Sequence, residues 1–303
     1  MTYQRLEKDA VQILNDAMVP NPAVDARQLI LYATGWSTAE LLLHLPDEVP
    51  EEVCAVFMDC IRKREERIPL QHILGETEFM GLRFYVNEDV LCPRQDTETL
   101  VEEVLRRVRP GDRVLDLCTG SGCILVSVLK LGGGRSRIGG DLRRIPLTGV
   151  GCDISEPALE MARRNAWRNG IEATRAAFYA GDLFDALPRG SMEFDVIVSN
   201  PPYIRSGDIP DLMPEVRDHE PHTALDGGAD GLNFYRRIME KAKQYLNMDG
   251  YLFFEIGYDQ GETVSAMLKE HGFSDVRVFQ DLAGNDRVVM GQIRANYKEM
   301  DYV

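Results

Sequence analysis

A planar amide or aromatic amine is a poor nucleophile because its nitrogen lone pair is delocalised. A protein that activates one must hold both N–H bonds and aim the lone pair at an electrophile. The run Ser199-Asn200-Pro201-Pro202-Tyr203-Ile204 has the residue types for that task. Two consecutive prolines remove two backbone donors and leave their carbonyls as acceptors, and Asn200 adds a side-chain oxygen. Acceptors converging on one nitrogen also favour the positive charge that develops there, and Tyr203 can stack on the planar group and exclude water. The plainer reading of the same residues is a rigid Asn-Pro turn after a strand.

An electrophile needs its own site, and Asp116-Leu117-Cys118-Thr119-Gly120-Ser121-Gly122 supplies a candidate. It reads as a strand end running through a small-residue turn into a helix. In open α/β sheets a nucleotide-like ligand sits at the carboxyl ends of the strands, where glycines let the backbone approach closely. A dinucleotide fingerprint asks for a further Gly or Ala where this chain has Leu125, and no Gly-Lys-Ser/Thr follows for a phosphate loop. Asp153 ends the next β-type run, before a helix start at Ser155-Glu156-Pro157 with Ser as N-cap and Pro in the first turn. A carboxylate there accepts from both ribose hydroxyls. Its separation from Gly122 exceeds the usual ~20 residues, and the Gly/Arg stretch from Gly132 to Arg144 accounts for the excess as an inserted surface loop. Asp182, in Gly181-Asp182-Leu183-Phe184, has the chemistry to accept from an exocyclic amine such as adenine N6, although an Asp in a loop is more often a turn former.

The elements that must position these residues follow from periodicity. Leu6, Val11, Ile13, Leu14 and Ala17, then Leu29, Ile30 and Ala33, then Val53, Val56, Phe57 and Ile61 recur at helical spacing. Pro20, Pro22, Gly35 and Pro46 punctuate them, which predicts about four short packed helices. Glu78 to Val86 alternates around Met80-Gly81, a β-hairpin pattern. From Arg113 onward β-type runs at 114–117, 150–153, 194–199 and 251–256 alternate with helix candidates at 123–131, 157–169, 234–246 and 262–271. That alternation implies βαβ units and a mostly parallel sheet. Val276–Phe279 and Val288–Gly291 read as an antiparallel pair closing its edge.

Composition excludes several classes. The 303 residues are 44% apolar and 27% charged, as in ordinary folded proteins and unlike disordered or fibrous chains. Lys+Arg number 34 against 49 Asp+Glu, a net charge of −15 that repels bare phosphate backbones. The six cysteines form no C-x-x-C pair, so they predict reduced thiols and a cytoplasmic protein rather than a disulfide or zinc framework. No signal peptide or membrane span is expected.

The order Asp116-x-Cys-Thr-Gly-Ser-Gly, Asp153, Asp182, Asn200-Pro-Pro-Tyr resembles the S-adenosylmethionine-dependent amino-methyltransferases with an Asn/Asp-Pro-Pro-Tyr motif. Within them it resembles the HemK/PrmC family, the release-factor glutamine N5-methyltransferases. The likeness continues through Pro69–Gly75, Pro93–Thr99 and Glu220–Gly228 and covers nearly the whole chain. It implies a Rossmann-like class I methyltransferase fold, an α/β seven-stranded mostly parallel sheet with an antiparallel last strand. A small N-terminal helical domain (1–68) for substrate docking and a β-hairpin linker (69–92) would precede the catalytic domain (93–303). It further implies methyl transfer from S-adenosyl-L-methionine to the side-chain amide of the Gln in the Gly-Gly-Gln tip of class-I peptide release factors.

By the same resemblance Asn200, Pro201, Pro202 and Tyr203 hold the acceptor. Asp116, Thr119, Gly120, Ser121, Gly122, Asp153, Asp182, Leu183 and Asn200 hold the cofactor, and Thr97 and Glu98 lean over its methionine end. No metal is implied. Two positions depart from the family pattern. Its usual Gly is Cys118 here, so Cys118 is expected at negative φ with the tight turn resting on Gly120 and Gly122. Its usual Arg-Pro-Glu-Thr-Glu is Arg94-Gln95-Asp96-Thr97-Glu98.

His219 and His222 flank Glu220-Pro221 without helical spacing or a third ligand and read as structural or surface residues. Arg62-Lys63-Arg64 beside Glu65-Glu66 reads as a solvated helix face, and the Arg135–Arg144 loop as a disordered insertion. Two other functions use the same residues: methylation of an exocyclic amine on a flipped-out DNA or RNA base, which the acidic charge disfavours, and a non-catalytic module that keeps the cofactor fold. Another protein's glutamine is also an open acceptor.

Overall fold

The computed structural model describes residues 1–138, 141–190 and 193–294. They form two compact units, one from Met1–Glu76 with Leu212–His219, the other from Thr77–Asp211 and the described residues from Glu220 on.

The first unit contains α1 (Tyr3–Asp16), α2 (Pro22–Thr34), α3 (Thr38–His44), α4 (Glu51–Glu65) and α5 (Leu70–Leu74). Local chemistry sets its ends. Thr2 caps α1, Ser37 and Glu40 form a reciprocal capping box on α3, and Gly35 ends α2 at φ 71°. Tyr3, Leu6, Leu14, Leu29, Ile30, Phe57 and Ile61 make its core. The short helix α9 (Pro214–Arg217) comes from the middle of the chain and joins this unit. The basic run at the end of α4 is therefore only partly a solvated face. Arg64 is buried, donating from Nε to Asp25 at 2.7 Å and from Nη2 to Glu215 at 2.8 Å.

In the second unit the hairpin strands β1 (Glu76–Phe79) and β2 (Leu82–Tyr85) turn through Met80 and Gly81, at φ 53° and 69°. Two consecutive left-handed residues give the turn that matches strand twist. After α6 (Glu98–Leu105), β3 (Arg113–Leu117) leads into α7 (Cys123–Leu131). Next come β4 (Gly134–Ile138), β5 (Asp141–Ile145), β6 (Thr148–Asp153), α8 (Glu156–Arg168), β7 (Ala176–Ala180) and β8 (Phe194–Ser199). The unit closes with α10 (Asn233–Ala242), β9 (Leu246–Glu255), α11 (Gly261–Glu270), β10 (Ser274–Gln280) and β11 (Asp286–Gln292). The seven-stranded sheet has the order β10-β11-β9-β8-β3-β6-β7. β11 runs antiparallel to both neighbours while β9, β8, β3, β6 and β7 pair in parallel, as a doubly wound sheet with an antiparallel last strand requires.

The stretch from Gly132 to Arg144 is not a loop. β4 and β5 pair antiparallel in a separate ribbon, Gly134 opposite Ile145 and Ile138 opposite Asp141, with Gly139 and Gly140 outside the described residues. Helix α10 ends four residues before Leu246, because that residue already opens β9 opposite Phe194.

Candidate active site

The carboxyl ends of β3, β6 and β8 meet at one cavity of about 380 Å³, lined by Thr119, Gly120, Ser121, Asp153, Asp182, Leu183, Asn200 and Pro202 among others. That is the place where a parallel sheet holds ligands. Each loop reaches it for a local reason. Thr119 donates from Oγ1 to Asp116 at 2.6 Å and from its amide to the Cys152 carbonyl at 3.0 Å, which turns the chain sharply out of β3. Gly120 stands at φ 52°, and a side chain there would meet no protein atom within 4 Å, so its absence leaves room on the cavity side. Gly122 stands at φ 77°, and a Cβ there would sit 3.0 Å from Ala162 of α8. The close helix-to-strand approach that a further glycine after Gly122 would allow comes instead from the strand: Gly149 of β6 faces Leu125, whose Cδ1 would lie 2.6 Å from an added Cβ.

Cys118 corrects the expectation from its residue type. It lies at φ 60°, in the left-handed region, and lines the cavity half-buried, with burial pushing its thiol well above the ordinary value. The hydrogen bonds of Thr119 fix the turn, so the side chain that occupies position 118 accepts the strain, about 1–3 kcal/mol for a non-glycine residue. A β-branched side chain tolerates this conformation least. Urea denaturation is expected to rank stability Gly ≥ Cys > Val at position 118, and a Cys118→Val protein as stable as Cys118→Gly would refute that account.

Asp153 ends β6 with both oxygens engaged by backbone, Oδ2 accepting from Gly120 N at 2.8 Å and Oδ1 from Ser155 N at 3.0 Å. Burial raises its pKa against these bonds. Each oxygen keeps a lone pair for a further donor. Asp182 is exposed, and its Oδ2 accepts from Arg237 at 2.6 Å, an ion pair at the cavity rim. Leu183 follows at φ 52° and is buried. Asp116 is fully buried, and burial lifts its carboxyl to about 7 despite the Thr119 hydrogen bond.

Asn200 and Pro202 line the cavity; Pro201 is buried and Tyr203 half-buried beside them. Ser199 Oγ donates to the Leu117 carbonyl at 2.7 Å and binds the two strand ends together. Glycines behind the loop set its height, since a Cβ on Gly227 would come within 2.8 Å of the Pro202 carbonyl and of Tyr203 Cα. Gln260 donates to the Tyr203 carbonyl at 3.1 Å, and the Tyr203 hydroxyl points to Glu255 at 3.4 Å.

Further residues complete the cavity wall through contacts that their local sequence does not predict. Buried Glu220 accepts from Cys92 N at 3.1 Å and Arg94 at 2.6 Å, tying two cavity-lining segments 126 or more residues apart. Buried Asn165 joins the Tyr85 backbone to the Ser121 carbonyl, so α8 holds the hairpin and the glycine loop together. Thr97 is buried at the cavity wall, whereas Glu98 turns to the hairpin and accepts from Met80 N. Asp96 reaches Arg287 at 3.5 Å. His222 lines the cavity, and His219 contacts the Glu66 carbonyl at 3.1 Å in the helical unit.

A PrmC N-terminal domain model matches residues 6–75 and a methyltransferase domain model residues 109–271. The release factor glutamine methyltransferase of Geobacter sulfurreducens is 42% identical over 276 residues, 91% of each chain. That of Caulobacter vibrioides is 40% identical over 92% of each. The crystal structure of a methyltransferase from Pyrococcus furiosus superposes with a TM-score of 0.52 over 71% of this chain and 91% of that one, at 18% identity, a likeness of fold.

Proposed function

The chain belongs to the release factor glutamine methyltransferases, and from that membership we propose that it transfers a methyl group from S-adenosylmethionine to the Gly-Gly-Gln glutamine of class-I peptide release factors. The observation that carries this reading is the convergence of Asp153, Gly120, Asn200 and Pro202 on one cavity. The cavity suits a nucleoside-sized cofactor: 300–1,000 Å³ is the usual range for such pockets. The free lone pairs of Asp153 match a ribose diol, and open space at Gly120 admits close approach. Asp182 and Leu183 would take the adenine edge, Asp116, Thr119, Ser121 and Gly122 the shape of the methionine pocket.

When bound, the sulfonium supplies an activated methyl group with a good leaving group. The chain's own residues do the rest by positioning. The Asn200 side-chain oxygen and the Pro201 carbonyl each accept one N–H of the substrate amide, which turns the nitrogen lone pair toward the donor and favours the charge that develops on it. Pro202 and Tyr203 make that loop rigid and keep water away. The proton leaves the nitrogen after transfer, so no strong base is required in the displacement. The helical unit is the docking surface for the protein substrate in this reading, and a cytoplasmic setting follows from that substrate. Among the described residues no helix is long and apolar enough to cross a membrane.

The test is mass spectrometry of a purified class-I release factor after incubation with this protein and S-adenosylmethionine. One added methyl on the tip glutamine, absent when that residue is replaced, is the expected result. Methylation of a DNA or RNA base in its place, or none with the cofactor bound, would overturn the reading.

A further inference from the structure

Glu255 is the last residue of β9, and the pairing of Ser199 with Phe254 puts it beside the point where β8 runs into Asn200. It is 2% exposed, and its Oε2 has no hydrogen-bond partner among the described residues. A buried carboxylate so incompletely bonded is destabilising, and a core position next to Phe253 and Phe254 has no packing need for one. Two of its neighbours belong to the site or adjoin it. Oε1 faces the Tyr203 hydroxyl at 3.4 Å, and the Thr97 hydroxyl of the cavity wall is also beside the carboxylate. Tyr235 then braces the arrangement, its hydroxyl 3.0 Å from the Glu255 carbonyl and 3.2 Å from Gln260 Oε1, while Gln260 Nε2 holds the Tyr203 carbonyl.

Resting on the methyltransferase reading above, the geometry points to Glu255 as a positioning residue for methyl transfer: its ionised carboxylate fixes Tyr203, and through it the Asn200-Pro201-Pro202 acceptor loop, while touching neither substrate nor cofactor. The charged and titratable groups around it are Asp96, Cys123, Tyr203, Tyr235 and Arg287. Burial raises the Glu255 carboxyl to about 7, with Asp96 adding to the rise and Thr97, Arg287 and Tyr203 opposing it. Protonation therefore removes the charge within the neutral range, and transfer falls as pH drops through about 7. The same desolvation makes the charge a burden on folding, so a neutral isostere stabilises the protein or leaves it unchanged.

The test compares wild type, Glu255→Gln and Tyr203→Phe for transfer to a purified class-I release factor between pH 5.5 and 9, with S-adenosylhomocysteine affinity by calorimetry and thermal melting as independent readouts. Glu255→Gln is expected to lose roughly 100-fold in kcat, the scale of a small misplacement of reacting groups. Its KM values and S-adenosylhomocysteine affinity stay within about threefold, its melting temperature does not fall, and its acid limb shrinks to what Asp116, whose carboxyl burial also raises to about 7, contributes. Tyr203→Phe should reproduce most of the loss, and the double variant should lose little more than either single one. Near-wild-type kcat in Glu255→Gln, a loss matched by a fall in melting temperature, or additive losses would overturn the inference and leave the enzyme's activity standing. A wild type that methylates no glutamine would overturn the function itself, and the inference with it.

Discussion

Replacing Asn200 with alanine is expected to lower kcat/KM for methyl transfer by roughly 100- to 1,000-fold, the scale seen when one preorganised hydrogen bond to a developing charge is removed. S-adenosylhomocysteine affinity should change by no more than about threefold. The split follows from where Asn200 sits. Its side chain is at the end of β8 on the cavity wall, whereas the carboxylate that matches a ribose diol is Asp153, at the end of β6. Asp153→Ala should show the opposite pattern: a charge-assisted pair of hydrogen bonds is worth about 1.5–3 kcal/mol each, so the cofactor dissociation constant rises by at least tenfold. Single-turnover kinetics at saturating cofactor, set beside calorimetric titration with S-adenosylhomocysteine, separates the two. Equal losses of affinity in both variants would show that Asn200 holds the donor and not the acceptor.

The parts of this site visible in the sequence are those that a few consecutive residues encode. A strand end, a glycine turn and a helix start lie within Asp116–Cys123, and the helix Cys123–Leu131 has the bounds its apolar run suggests. What escaped the sequence depends on residues far apart or on geometry that outranks composition. Glu220 closes the cavity by bonding Cys92 and Arg94. Glu255 acts through Tyr203, 52 positions away. In both cases the partner is brought close by the tertiary fold and not by neighbouring residues. Cys118 shows the second kind of failure, because a residue-type preference of about 1–3 kcal/mol yields to a turn fixed by Thr119 and Asp116. The Gly/Arg-rich segment shows it again: its composition resembles a loop, yet Gly134–Ile138 and Asp141–Ile145 pair as strands, since cross-strand partners decide β-structure more than intrinsic propensity does.

The largest expected effect on stability lies outside the cavity, at Arg64. Replacing it with alanine should destabilise the helical unit by about 3–5 kcal/mol, the scale for stranding one side of a buried ion pair. Arg64 is 4% exposed and joins three separate segments, bonding Asp25 of α2, the Ile68 carbonyl and Glu215 of α9. Arg67 adds two further bonds to Glu215, of 2.8 and 2.6 Å. The magnitude comes from leaving Asp25 and Glu215 buried with fewer partners, not from the worth of the bridge, so Arg64→Ala combined with Asp25→Asn should lose less than the sum of the two single changes. Acid should act on the same network. Desolvation raises the Glu215 carboxyl, but Arg67 and Arg64 outweigh it and hold the group at about 2 against an ordinary 4.5. A carboxylate depressed in the folded state contributes stability above its unfolded pKa and loses that contribution as pH falls through the folded value. The helical unit should therefore weaken between about pH 4.5 and 2, and less so once Arg64 is gone. Trp36, packed against Tyr3 and His44, reports this unit, while the other tryptophan, Trp167, is 80% exposed. Tryptophan fluorescence during urea denaturation of the full chain gives the measurement. An Arg64→Ala midpoint equal to wild type, with an unchanged acid transition, would mean that Asp25 finds water or another partner in the folded protein and that Arg67 alone suffices for Glu215.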